Sequence, residues 1–108
     1  DNTSPLWVSG ALVDKPAGVF ASTASLHGGQ ETTLLTMALP LIHHGMIYVG
    51  LPYTSAELHS TQTGGTPYGP THWAEGGSKD GELSHHESIL CQALGRRLAR
   101  FAAAGIPA

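Results

Sequence analysis

One segment of the chain combines residue types that favour ligand binding. Its candidate residues are Ser22, Thr23, Ala24, Ser25, Leu26, His27 and Gly28. Small residues allow the backbone to approach a flat ligand, and N–H groups at the start of a following helix favour electron-rich oxygens. Ligands of open α/β sheets bind outside the carboxyl ends of strands, where this segment is expected. An ordinary strand-to-helix turn also needs small residues, so both interpretations stay open.

Two further features could contribute aromatic rings to a site. His43 and His44 are adjacent before Gly45. Neighbouring helical residues point about 100° apart, so one metal ion cannot easily bind both imidazoles. A helix C-terminus favours protonated histidine, so a capping role is equally consistent. Trp7, between Leu6 and Val8, could wall off a planar ligand or pack in the core.

Residues 63–70, with the sequence Thr-Gly-Gly-Thr-Pro-Tyr-Gly-Pro, have the composition of a turn. A loop that holds Tyr68 suits a subunit contact, and a plain surface loop is the alternative.

Seven histidines occur, but without H-E-x-x-H or Cys/His spacing, so no metal site is expected. The absence of G-x-G-x-x-G and of a P-loop lysine argues against nucleotide sites of those kinds.

Alternating elements must position these residues. A buried strand is predicted at residues 17–22, a helix at 30–44 with a kink at Pro40, and a second strand at 46–51. Gly45 is the expected left-handed cap. Residues 1–15 are interpreted as a connector and 52–81 as a long structureless loop. The S-x-x-E pattern at Ser84 to Glu87 opens a final helix that ends near Gly105.

This order predicts a parallel α/β sheet in one small domain of 108 residues. Two strands make a poor sheet, so further strands are expected from another segment or chain.

The net charge of −3 predicts no nucleic-acid interface. Cys91, the only cysteine, cannot form an intrachain disulfide and is interpreted as a packing residue. No apolar run approaches the roughly 20 residues of a membrane span and no signal peptide is evident, so a cytoplasmic location is expected.

Taken together, the motifs resemble the tryptophan-repressor-binding-protein family of flavodoxin-like NAD(P)H:quinone oxidoreductases. In chain order they are Leu6-Trp7, Gly10-Ala11-Leu12, Val19-Phe20-x-Ser22-Thr23, His27-Gly28-Gly29-Gln30-Glu31, His43-His44-Gly45-Met46 and Gly64-Gly65-Thr66-Pro67-Tyr68-Gly69. The resemblance covers nearly the whole chain but only the second half of the family's length. It therefore implies a partial domain over residues 1–108, with strands 4 and 5 of a doubly wound flavodoxin-like sheet, their helices and a long insertion.

The resemblance also implies an activity: reduction of quinones to hydroquinones by two electrons, with FMN as cofactor and NAD(P)H as co-substrate. Residues 22–28 would be the flavin-ring loop, and His44 would lie next to the flavin. Trp7 would contact the quinone or nicotinamide pocket. The family forms homotetramers whose subunits complete each other's sites, and residues 64–69 would lie near that interface.

The chain departs from the family pattern where the phosphate loop and a second flavin loop should be, since neither has a counterpart here. We therefore expect the isolated chain to have weak or no activity and to need the N-terminal half that completes the sheet. Two alternatives stay open. One is a flavodoxin-type one-electron carrier, and the other is a non-catalytic proteolytic fragment.

Overall fold

The computed structural model describes residues 2–76 and 79–105. Helices and short strands alternate in it, which confirms the predicted α/β class. The elements are α1 Ser4–Ser9, β1 Pro16–Ala17, β2 Ala21–Thr23, α2 Gln30–His43, β3 Ile47–Tyr48, α3 Glu57–Ser60, β4 Thr71–Trp73, a 3₁₀ turn Lys79–Gly81 and α4 His85–Ala104.

Two parallel ladders hold the fold together. β1 pairs with β3 and β2 pairs with β4, both in parallel. The stretch predicted as one strand at residues 17–22 is thus divided, because its first part and its last part have different partners. Residues 49–70 connect β3 to β4 and separate these two partners along the sequence; this connection is the stretch that the family resemblance interprets as an insertion, and it is called the insertion below. The assignment to one half of a flavodoxin-like sheet remains a prediction.

The prediction that residues 52–81 lack structure was wrong, because they contain α3, β4 and the 3₁₀ turn. β4 has only three residues, and Thr71 is fully buried while its two neighbours are half-buried. So short a strand has no measurable periodicity. Its place is determined by the β2 ladder, which joins residues about 50 positions apart in sequence.

The connector predicted at residues 1–15 was also partly wrong, since it contains α1. Pro5 occupies the first turn, where a missing N–H costs nothing. Gly10 ends the helix with φ 68°, and its N–H contacts the carbonyls of Leu6 and Trp7. No residue of α1 is buried, so apolar spacing gave no helical signal.

The two long helices lie where they were predicted. The kink at Pro40 remains a prediction. Ser84 and Glu87 form the capping box of α4, and Gly45 follows α2 with φ 79°. The core contains Val49 and Leu51 after β3 together with Leu90 and Leu94 of α4. Leu34 of α2 is fully buried, whereas the other face of α2 exposes Leu35, Leu39 and Ile42. Among the described residues, no helix has the length and apolar character that crossing a membrane requires.

Candidate functional site

The segment 22–28 lies where the sequence placed it: Ser22 and Thr23 are the last two residues of β2, and residues 24–28 lead from that strand towards α2. Most of its residues are exposed, with Thr23 and Leu26 half-buried. The segment therefore forms an accessible edge of the sheet, which is the geometry in which parallel α/β folds bind ligands.

Hydrogen bonds brace this loop from behind. The Thr23 hydroxyl donates to the Ser25 carbonyl over 2.7 Å, and the indole Nε1 of Trp73 donates to the Ala24 carbonyl over 3.0 Å. Gln30 Nε2 in turn donates to Thr23 Oγ1 over 2.9 Å. Thr71 Oγ1 completes the chain by donating to Gln30 Oε1 over 2.7 Å. The bonds tie the loop to both β4 and α2 through its carbonyls and side chains.

The backbone N–H groups of this loop are left for another partner. Within the described part of the chain, none of the N–H groups of residues 25–29 donates a hydrogen bond. Gly29 is the N-cap of α2, and no side chain caps that helix. A Cβ on Gly28 would lie 2.1 Å from Ser25 Oγ, so a larger residue there would require the Ser25 side chain to rotate away. These N–H groups are therefore available to an electron-rich, planar group that binds at the loop.

A polar cavity of about 480 Å³ opens beside the loop. Leu26 and His27 line one wall, the first turn of α2 forms another, and residues 61–66 of the insertion form the third. Its size lies within the range of ligand-binding clefts.

Trp7 and His44 lie together at a second cavity of about 260 Å³, which Thr3, Ser4, Pro40 and His43 complete. His44 is only 7% exposed, and its Nε2 lies 3.1 Å from Thr3 Oγ1. Its Nδ1 is buried and has no hydrogen-bond partner among the described residues. Trp7 is 51% exposed and stacks on His43. The structure therefore brings Trp7 and His44 together, but the two cavities share no lining residue.

Sequence reasoning missed the carboxylate of Glu87 as an organising group. Glu87 is 1% exposed, and its Oε2 accepts hydrogen bonds from the N–H groups of Gly64 and Trp73, each over 2.8 Å. Its Oε1 accepts from the Ser84 N–H over 2.8 Å and lies 2.9 Å from His72 Nδ1. The capping-box pattern located this residue, but no signal in the sequence tied it to the insertion.

The electrostatics of Glu87 follow from these contacts. Burial alone would raise the pKa of the carboxyl group, but hydrogen bonds from the Ser84 and Trp73 N–H groups, the His72 ring and the Gly64 N–H outweigh it. The pKa of Glu87 falls to about 2. The carboxylate is therefore a permanent charge that joins the insertion, β4 and α4. The insertion lines the first cavity, and Trp73 of β4 hydrogen-bonds to the loop.

The turn predicted at residues 63–70 is present. Thr66 Oγ1 donates to the Gly69 carbonyl over 2.9 Å, and the Tyr68 N–H donates to Thr66 Oγ1 over 3.1 Å. The Tyr48 hydroxyl donates to the Tyr68 carbonyl and so attaches the turn to β3. The role of this turn as a subunit contact remains a prediction.

Comparison with known proteins gives a consistent result. The chain is 46% identical to an NAD(P)H dehydrogenase (quinone) of Trichlorobacter lovleyi over 95% of its length and 51% of that protein. It is 48% identical to a protein of the same name from Solidesulfovibrio magneticus, over 92% of the chain and 49% of that protein. For the one from Chromohalobacter salexigens the identity is 45%, over 95% of the chain and 52% of that protein. No protein-family model matches the chain. The chain thus spans about half the length of these curated relatives.

Proposed function

We propose that this chain, a member of the tryptophan-repressor-binding-protein family of NAD(P)H:quinone oxidoreductases, supplies the flavin-ring side of an FMN-dependent quinone reductase. The complete protein would use NAD(P)H to reduce a quinone to its hydroquinone by two electrons. The observation that carries the proposal is the row of N–H groups at residues 25–29, which have no acceptor among the described residues and follow the carboxyl end of a parallel strand.

The donor set of the loop fits FMN. The pyrimidine edge of the flavin ring is rich in carbonyl oxygens and gains negative charge on reduction, so N–H groups without a protein acceptor would stabilise it. A ring also needs a flat approach to the backbone, which Gly28 and Gly29 provide. When bound, FMN supplies the hydride chemistry between NAD(P)H and quinone.

The remaining site residues would act around that ring. Trp7 presents an exposed indole face that can lie parallel to a planar quinone. His44 would lie close to the flavin. Its Nε2 lies 3.1 Å from Thr3 Oγ1, and its Nδ1 has no hydrogen-bond partner among the described residues. Residues 22–28 and His44 would thus bind the cofactor, and Trp7 the substrate.

The phosphate group of FMN would be bound by the rest of the complete protein. No Ser/Thr-rich loop of the phosphate-binding kind occurs in this sequence. Charge-assisted hydrogen bonds are worth roughly 1.5–3 kcal/mol each, so loss of several would weaken binding by many orders of magnitude. The same missing half would continue the sheet beyond residues 16–23, and the complete protein would assemble as a homotetramer.

A flavin titration of the 108-residue chain and of the complete protein tests this division. Tight FMN binding is expected for the complete protein and only weak binding for the chain. Micromolar or tighter FMN binding by the chain alone would show that the rest of the complete protein is not needed to bind the FMN phosphate.

Kinetics of the complete protein test the reaction itself. With FMN and NAD(P)H, a quinone should be converted to hydroquinone at one NAD(P)H per quinone. Trp7→Ala should lower quinone kcat/KM by a larger factor than it lowers the fraction of protein that retains flavin. Val8→Ala is the matched control, since Val8 is 78% exposed on the same helix. Reduction of cytochrome c instead of quinone would indicate a one-electron carrier.

A further inference from the structure

His43 precedes His44, the residue proposed to lie next to the flavin, and it makes a contact that the proposed function does not explain. His43 lies in the last turn of α2 and its ring is exposed. The imidazole stacks on the indole of Trp7, with ring centroids 5.3 Å apart and an angle of 9° between the planes. This is an offset parallel stack, the geometry that aromatic pairs prefer.

We propose that His43 is a positioning residue that sets the plane of Trp7 and so controls how planar substrates fit the second cavity. This inference rests on the proposed function, because it takes Trp7 as the wall of the quinone pocket. His43 itself need not touch the substrate. It acts through the indole that stacks on it.

The anchoring of α1 explains why Trp7 needs such a support. α1 has six residues and none of them is buried, so the core does not fix its orientation. Trp7 is half-exposed, and the indole has no hydrogen bond or other ring contact within the part of the chain that the structure describes. Without the stack, the Trp7 side chain would have access to several rotamers.

The adjacent histidines divide the task of holding α1 in place. Neighbouring residues on a helix point about 100° apart, so the two imidazoles meet different parts of α1 and the residues before it. His44 contacts Thr3 through Nε2, and His43 contacts Trp7 through its ring face. The backbone adds one more link, since the Asp14 N–H donates to the Gly45 carbonyl over 2.9 Å. The pair therefore fixes both the position of the helix and the plane of its aromatic ring.

The second cavity is where the orientation of this plane matters. Its lining contains Trp7 and both histidines, and its volume of about 260 Å³ is small for a ligand site. In so small a space, a rotated indole would either block the cavity or remove one of its walls. A planar substrate gains most from a wall that is already parallel to it, since no ordering cost remains on binding.

The test uses the complete FMN-loaded protein with His43→Ala, His43→Phe and the control His85→Ala, which removes an exposed histidine from α4. His43→Ala should raise the quinone KM by roughly 3- to 10-fold, the range expected for loss of one aromatic contact, with kcat and FMN retention near those of the parent. His43→Phe should restore the KM because it restores a flat ring, and His85→Ala should change nothing.

A spectroscopic readout follows Trp7 directly. In protein labelled with 5-fluorotryptophan, the ¹⁹F resonance of Trp7, assigned with Trp7→Phe, should shift and narrow in His43→Ala and return in His43→Phe. An unmoved resonance would overturn the proposal, as would a moved resonance with unchanged quinone KM. If the parent protein reduces no quinone, the proposed function fails, and the ¹⁹F signal still decides whether His43 holds Trp7.

Discussion

Replacing Glu87 by glutamine should reveal how strongly one buried carboxylate holds the insertion against the sheet. Each carboxylate oxygen of Glu87 accepts two hydrogen bonds. Three of the four donors are backbone N–H groups, and the fourth is the His72 ring. A glutamine keeps one oxygen and turns the other into a donor, so two of the four donors lose their acceptor. Each buried unsatisfied donor costs about 1–3 kcal/mol, so we expect a loss of roughly 2–6 kcal/mol in unfolding free energy.

The pH dependence gives a second, independent magnitude. The pKa of Glu87 falls from an ordinary 4.5 to about 2, so the folded state favours the charged form. That contribution is fully present above pH 4.5 and is lost as the pH falls towards 2. Linkage converts the difference into about 3 kcal/mol, of which about 2 kcal/mol should be lost between pH 7 and pH 3.

Urea unfolding at pH 7 and pH 3, followed by far-UV circular dichroism, measures both effects. Glu75→Gln is the matched control, because Glu75 is exposed and loses the same charge. Glu87→Gln should be much less stable at pH 7 and should lose less stability on acidification than the parent, whereas the control should follow the parent. A variant within 0.5 kcal/mol of the parent, or with the parent's pH dependence, would refute the reasoning.

Three further predictions concern other contacts. Gly64→Ala should destabilise the fold by about 1–3 kcal/mol because its Cβ would lie 2.0 Å from the Thr71 carbonyl oxygen, whereas Gly95→Ala, with nothing within 4 Å, should stabilise it by about 0.5–1 kcal/mol; urea midpoints decide, and equal midpoints would contradict the geometry. Gln30→Met should cost about 1–3 kcal/mol by the same assay because it breaks the hydrogen-bond chain behind the loop, and a neutral result would show that the chain is dispensable. Burial, and then the charge of Glu87, raise the pKa of the Cys91 thiol, so the thiol should react with Ellman's reagent at pH 8 more slowly than free cysteine; a rate as fast as that of free cysteine would be inconsistent with this environment.

The elements that the sequence predicted well are those whose signal is local. The helix from residue 30 and the helix after Ser84 both have apolar spacing and a glycine just after their last residues, and the second also has a capping box. The loop at 22–28 was placed correctly because a strand, small residues and a helix start follow each other directly. Turn chemistry at Thr66 to Gly69 was equally local.

The elements that were missed depend on distant partners. β4 exists because residues 71–73 pair with β2, and α1 has no buried side that could produce a periodic pattern. The role of Glu87 depends on donors at Gly64 and Trp73, which its own helix does not contain. The residue types and their spacing gave no reason to place Trp7 and His44 in one site, and only the family resemblance assigned both to the same site. The structure places them at the same cavity and shows His43 as the ring beneath Trp7.

An FMN titration of the complete, ¹⁵N-labelled protein would show whether residues 25–29 bind the flavin ring. We expect the amide resonances of residues 25–29 to move on binding, together with the indole N–H of Trp7, while amides near the C-terminal end of α4 stay in place. Unmoved loop amides at saturating FMN, or changes confined to residues 61–66, would contradict the assignment of this loop to the flavin ring.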